Sequence, residues 1–126
     1  MAKRKLAALS RAETEILRIV WELETATVQQ VVDNLPTERQ IAYATVQTLL
    51  RRLEKKGYIA HHNQGKAHVF SAVVKRQDVI KKAVSEFVGV LFGGEATPLV
   101  QHLAEHGQID GDDIERLKKI ICGKRR

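Results

Sequence analysis

The stretch that decides the fold is ATVQTLLRRLEKKG, residues 44–57. Its apolar side chains recur at intervals of three and four residues, which is the spacing of one face of a helix. Thr, Gln and Arg side chains occupy the opposite face, and Gly57 follows two lysines, as is typical just after a helix end. We therefore predict a helix over about 44–56 with one apolar side and one hydrogen-bonding side. The apolar side consists of Val46, Leu49, Leu50 and Leu53.

The residues before this helix predict two shorter helices. SRAE at residues 10–13 and TVQQ at residues 27–30 both have the form of a capping box. In a capping box, a hydroxyl group and a Glu or Gln three residues later satisfy each other's backbone amides. We expect the first helix at about 11–23 and a short strand at 25–27. Pro36 ends the second helix, because proline disfavours the α conformation in the residue before it.

The residues after Gly57 favour β structure. Two β-prone runs, at 58–62 and 68–73, flank the connection NQGK at 63–66, which is typical of a β-hairpin. Two short helices, a third helix and a hairpin, all within about 65 residues, make a winged helix-turn-helix, whose third helix lies in the major groove of DNA. We predict that this domain comprises residues 1–75.

Residues 76–126 predict a second domain of three helices. A wide apolar stripe at 79–92 is followed by a Gly-Gly pair, and two shorter helices follow at 98–106 and after Asp110. About 50 residues are too few to bury so many apolar side chains alone, so we expect a second copy of the chain to cover them. The alternative is that these helices fold back onto the first domain. The residues expected in the dimer interface are Val84, Phe87, Val88, Leu91, Leu99, Leu103, Leu117 and Ile121.

The net charge of +6 is concentrated in one part of the chain. Residues 1–40 carry equal numbers of acidic and basic side chains, whereas residues 41–75 carry six Lys or Arg against Glu54 alone. A concentrated basic stretch is typical of a protein that binds a polyanion, and the alternative is a basic surface that serves solubility. The basic residues at 3–5 are either an arm over the DNA backbone or a solubilising tail.

The polar side of the helix at 44–56 suits contact with DNA. Gln and Arg side chains can form paired hydrogen bonds with adenine and guanine edges, and Thr can bond a base edge or a phosphate. Ala44 is small enough to allow close approach of the backbone or contact with a thymine methyl group. The side chains expected at base edges or in the groove are Thr45, Gln47, Thr48 and Arg51. The side chains expected at phosphates are Tyr43, Arg52, Lys55, Lys56 and, on the hairpin, Lys66.

Other classes of function have weaker signals. The sequence shows no Gly-rich phosphate loop, zinc-protease helix or nucleophile with a base, so we expect neither an enzyme nor a cofactor. His102 and His106 share a helix face and could bind zinc, but two ligands make a weak site, so we expect no metal. A metal-responsive regulator and a winged-helix protein-interaction module are the two alternatives. The interaction module would not require a helix face almost free of carboxylates.

The compartment follows from what the sequence lacks. A single cysteine, Cys122, cannot form an internal disulfide. No apolar run approaches the roughly 20 residues that span a bilayer, and no long apolar segment follows the basic start, as a signal peptide would require. We expect a cytoplasmic protein with no membrane partner.

Two stretches resemble the penicillinase repressor (BlaI/MecI) family of winged-helix regulators. They are LSRAETEILRIVW at 9–21 and IAYATVQTLLRRLEKKGYI at 41–59, and the resemblance extends over about 9–122 in the same domain order. It implies a dimeric repressor that dimerises through its C-terminal helices. It also implies an inverted-repeat operator, which has the form TACA…TGTA in the well-known members.

The sequence departs from that family's pattern in two places. In the antibiotic-responsive members, a membrane sensor triggers cleavage of an Asn–Phe bond in the dimerisation helix, and the matching pair here is Glu86–Phe87. Copper-responsive relatives end in paired Cys-x-Cys motifs, which Cys122 alone does not provide. The resemblance therefore implies a sensor-protease pathway as a partner, while the bond itself differs.

Overall fold

The computed structural model describes residues 7–124 and confirms a mainly helical fold with a small antiparallel sheet. The basic residues 3–5 lie outside the described residues. The chain divides into two compact units between Val79 and Ile80. The elements are α1 (Arg11–Leu23), β1 (Thr25–Ala26), α2 (Val28–Asp33), α3 (Tyr43–Lys55), β2 (Ile59–Gln64), β3 (Ala67–Ala72), α4 (Arg76–Leu91), α5 (Thr97–Glu105) and α6 (Gly111–Lys124).

Both predicted capping boxes are present. The Ser10 hydroxyl accepts a hydrogen bond from the Glu13 amide at 3.1 Å, and the Glu13 carboxylate accepts one from the Ser10 amide at 2.8 Å. Thr27 and Gln30 repeat this exchange at 3.1 and 2.9 Å. The start of each helix is thus set by side chains within one turn of it.

The hairpin of β2 and β3, called the wing below, belongs to a three-stranded sheet. The strand order is β1–β3–β2, so β3 is central and both of its neighbours are antiparallel to it. Phe70 is the residue on β3 that lies opposite both Ala26 and His61. Gly65 in the hairpin turn has a φ of 63°, a left-handed conformation that glycine adopts at little cost.

The core of the first unit lies between α1, α2, α3 and the sheet. All four apolar residues predicted on α3 are buried there, and Gly57, with a φ of 91°, turns the chain from α3 towards the wing. Arg39 in the loop before α3 pairs with Glu15 of α1, with its Nε 3.0 and 3.2 Å from the two carboxylate oxygens. The apolar residues with no exposed surface are Ile16, Leu17, Val20, Ala26, Val31, Val46, Leu50 and Leu53.

One ion pair joins the start of α1 to the end of α3. The Glu13 side chain is only 2% exposed, and the Lys56 Nζ lies 2.6 Å from its Oε1. The same ammonium donates to the Ala8 carbonyl oxygen at 2.8 Å. Lys56 was predicted to contact a phosphate, whereas in the structure its ammonium donates to two acceptors that belong to the protein.

This environment changes the acidity of Glu13. Burial alone would raise the pKa of the carboxyl group, but the Lys56 hydrogen bond, the Ser10 amide and the Lys56 charge outweigh it. Together they hold the pKa of Glu13 below its ordinary value of 4.5. The ionised form is therefore the one that the fold stabilises.

The second unit is built differently from the first. Within the described part of α4 to α6, Val88 is the only buried hydrophobic residue. Val88 was predicted to lie in the dimer interface. Because it is buried within its own chain, we no longer place it among the interface residues. Asp110 caps α6 as predicted, since its Oδ1 accepts from the Asp113 amide at 2.8 Å. The predicted boundary after residue 75 falls just before α4, whereas Val79 on α4 packs against the first unit's core.

Glu13→Gln should destabilise the protein by about 1–3 kcal/mol at pH 7, because it removes a buried charge partner of Lys56. Since folding lowers the pKa of Glu13, its contribution is complete above about pH 4.5 and is lost as the pH falls through the folded-state value. Urea denaturation at pH 7 and below about pH 4 measures the difference, which should shrink in acid.

The matched control for this substitution is Glu22→Gln on the same helix. Glu22 pairs with Arg18 at 3.1 Å, but both side chains are more than half exposed. The cost should therefore be below about 1 kcal/mol. Equal losses for the two variants, or a Glu13→Gln loss that is independent of pH, would contradict the stabilising role of the buried pair.

Candidate nucleic-acid interface

Helix α3 separates its side chains as predicted. Six exposed residues form what we call the polar face of α3, and Gln47 beside them is half-buried. Tyr43, expected just ahead of the helix, is instead the first helical residue and is 49% exposed. The polar face consists of Ala44, Thr45, Thr48, Arg51, Arg52 and Lys55.

The N-terminus of α3 differs from those of α1 and α2. Ala42 occupies the N-cap position, and no side chain within residues 7–124 caps the helix there. The first amides of a helix have no partner inside it, and the positive end of the helix dipole favours an anion. The free amides at the start of α3 can therefore donate hydrogen bonds to a phosphate oxygen from outside the protein.

The hydroxyl group of Thr48 is partly committed. Its Oγ1 donates to the Ala44 carbonyl oxygen at 3.1 Å, one turn earlier in α3. The hydroxyl can still accept a hydrogen bond, and the methyl group remains available for apolar contact. Thr48 thus presents an acceptor and a methyl group rather than a free donor.

The basic side chains of this region fall into two groups. Lys56 is held by Glu13, whereas Arg51, Arg52 and Lys55 on α3 are exposed and make no ion pair within residues 7–124. Lys66 is exposed in the turn of the wing, and it too has no ion pair among the described residues. The four unpaired cations among the predicted site residues therefore remain available to a polyanion.

A crevice between α3 and the wing holds contacts that the sequence did not reveal. It is lined by Gln47, Arg51, Glu54, His61, His68 and Phe70, together with Val28 of α2. The His61 Nδ1 lies 2.9 and 2.7 Å from the two carboxylate oxygens of Glu54. The His61 ring also meets the His68 ring edge to face, with 4.6 Å between centroids. Helical periodicity could not show this pair, because it joins a helix to a strand.

The sequence offered a metal site at His102 and His106 only as a weak alternative, and it predicted no membrane segment. Among the described residues, no group of three or more His, Cys, Asp or Glu side chains is arranged to hold a metal ion. His102 and His106 stack with ring centroids 4.1 Å apart, and the His106 Nδ1 lies 2.9 Å from the His102 carbonyl oxygen. In the part of the chain that the structure covers, the helices lack the length and apolarity needed to cross a membrane.

Comparison with known proteins gives consistent similarities. The model of the family described as penicillinase repressor matches residues 9–122. The chain is 27% identical to the penicillinase repressor of Bacillus licheniformis over 94% of this chain and 92% of that protein. It is 28% identical to the methicillin resistance regulatory protein MecI of Mammaliicoccus sciuri, over 95% of this chain and 98% of that protein.

A solved structure adds a likeness in three dimensions. It is the monomeric form of Bacillus licheniformis BlaI in complex with the blaP half-operator, with a TM-score of 0.50 and 30% identity. The likeness covers 59% of this chain and 90% of that chain. The relatives are repressors and not enzymes, which agrees with the expectation that this chain is not an enzyme.

Proposed function

The chain belongs to the penicillinase repressor family, and from that premise we propose that it is a homodimeric repressor of an inverted-repeat DNA operator. The winged-helix unit is the part that binds DNA, with α3 in the major groove and the wing against the backbone. The observation that carries the proposal is the polar face of α3. It presents cations, hydroxyl groups and no carboxylate, and it stands on a helix whose opposite side is fully buried.

The predicted residues divide by position along α3. Thr45, Gln47 and Thr48 lie in the N-terminal half of α3, where a recognition helix contacts base edges, and Arg51 follows Thr48 after about one turn. Arg52 and Lys55 in its last turn, with Lys66 on the wing, contact phosphates. Phosphate contacts supply affinity, whereas base contacts supply sequence preference.

Tyr43 and Ala44 contribute at the start of the helix. The exposed Tyr43 hydroxyl and the uncapped amides of the first turn bind one phosphate between them. Ala44 has no side chain beyond its methyl group, so it lets the helix approach the groove closely or contacts a thymine methyl group. This end of α3 therefore sets how deeply the helix enters the groove.

The second unit is the reason for proposing two copies of the chain. Its helices leave large apolar side chains exposed, among them Phe87 at 50% and Leu91 at 65%. An apolar surface of this kind marks an interaction site, and a second copy of the same surface matches it by two-fold symmetry. The BlaI structure holds a monomeric form on a half-operator, so a full inverted repeat requires two such units. The interface side chains are Val84, Phe87, Leu91, Leu99, Leu103, Leu117 and Ile121.

Release from DNA through a sensor-protease pathway stays a prediction from the resemblance. Glu86 and Phe87 are both exposed in the C-terminal half of α4. A protease would have to unwind α4 locally to reach this bond, and it would meet Glu where the family pattern has Asn. We therefore propose that dissociation of the dimer, by cleavage or otherwise, is what releases the operator.

Selection of bound sequences from a random duplex pool should return an inverted repeat whose half-sites are contacted by α3. Arg51→Ala should relax the preference at one base pair of each half-site, with a loss of about 1–3 kcal/mol on the selected sequence. Lys55→Ala should weaken binding to all duplexes alike and reduce the slope of affinity against salt by about 1. Fluorescence anisotropy with selected and scrambled duplexes measures both effects.

Equal loss of specificity in the Arg51 and Lys55 variants would contradict this division of contacts. A binding curve that does not respond to salt, or no duplex binding at low salt, would instead favour the protein-interaction module.

Phe87→Asp should dissociate the dimer, because it places a charge in the apolar surface that the second copy covers. Sedimentation equilibrium should show a monomer, and operator affinity should fall while circular dichroism stays helical. The matched control is Ser85→Asp, which adds the same charge to α4 at an exposed polar position. A dimer that survives Phe87→Asp would place the interface elsewhere.

A further inference from the structure

Glu54 is the only carboxylate on α3. It follows Arg51 by three residues, a spacing at which opposite charges on a helix attract each other. Arg51 is the residue that we place at a base edge, and it lines the same crevice as Glu54. A free Glu54 carboxylate would therefore compete with DNA for the Arg51 guanidinium group.

His61 on the wing occupies that carboxylate. Its Nδ1 lies 2.9 and 2.7 Å from the two oxygens of Glu54, and both side chains are about one-third exposed, at 33% and 32%. Arg51 forms no ion pair within residues 7–124, although Glu54 is one helical turn away. Glu54 thus contacts His61 and forms no ion pair with Arg51.

We propose that His61 is a positioning residue for base reading: through its Nδ1 it holds Glu54 against the wing and leaves Arg51 free for the operator. This rests on the proposed function, because it presumes that Arg51 contacts a base. His61 acts through Glu54 and does not itself touch the base. The loss of its proton weakens its hold on the carboxylate, which then draws Arg51 away from the groove.

The role of His61 depends on pH, because histidine changes its charge between about pH 5 and 8. The charged and titratable groups around it are Glu54 and Arg51 from α3 and His68 from β3, while Phe70 is neutral. Discrimination by Arg51 should therefore be better at pH 6 than at pH 8.

The experiment measures a ratio of affinities by fluorescence anisotropy. One probe is the selected operator duplex. The other is the same duplex with a single base pair changed, namely the pair at which Arg51→Ala relaxes the sequence preference. For the wild-type protein, the ratio should fall about two- to fivefold from pH 6 to pH 8, the size expected of a partly exposed ion pair. His61→Gln should show the low ratio at both pH values, because its Glu54 is never neutralised.

Glu54→Gln should show the high ratio at both pH values, since no carboxylate remains to attract Arg51. The double variant should recover that high ratio, which a merely structural loss of His61 would not allow. The matched control is His62→Gln, on the same strand but on its opposite face, and it should keep the wild-type pH dependence. Thermal denaturation at both pH values establishes that each variant is folded.

Two outcomes would overturn the role of His61. One is a His61→Gln ratio equal to that of the wild type at pH 6, and the other is a double variant that stays as low as His61→Gln. A wild-type protein that fails to discriminate the two duplexes at either pH would contradict the proposed function itself.

Discussion

The buried carboxylate of Glu13 is the constraint on which the DNA-binding unit depends. It completes the capping box that starts α1, and it also accepts the Lys56 ammonium just beyond the end of α3. Removing one member of such a pair leaves the other charge buried without compensation, so neither residue can change alone without loss of stability. With Arg39 and Glu15 fastening the loop before α3, the helix is held to α1 near both of its ends. The polar face of α3 therefore has a fixed direction before any DNA is present.

What the sequence could predict was local. Capping boxes, helical periodicity and the glycine-containing hairpin each depend on residues within a few positions of one another, and all three features are present in the structure. Two bounds differ: the hairpin turn comprises only Gly65 and Lys66, and α2 ends at Asp33 rather than just before Pro36. The errors concern partners far apart in the chain. Lys56 lies among other cations and gave no sign that Glu13, 43 residues away, would bind it. The pairing of Glu54 with His61 spans a helix, a turn and a strand, so no single period contains it.

The two units use apolar residues in opposite ways. The first encloses its leucines, isoleucines and valines between three helices and a sheet, whereas the second leaves Phe87 and Leu91 at least half exposed. The sequence predicted an unsatisfied apolar surface from the ratio of apolar residues to chain length. It could not show that Val88 is buried while its apolar neighbours on α4 are exposed. A stripe wider than one helix face does not reveal which of its residues pack within their own chain. That distinction requires the tertiary arrangement.

The basic stretch at 41–75 shows why a local net charge is an incomplete description of a binding surface. One of its cations, Lys56, neutralises a buried carboxylate from α1. Its single anion, Glu54, lies one turn from a proposed base-reading arginine but is engaged by a histidine from the wing. The field that a DNA backbone would meet is therefore set by tertiary partners as much as by composition. Besides the phosphate contacts that we propose for it, the wing thus contacts the one carboxylate on the helix beside it, through His61.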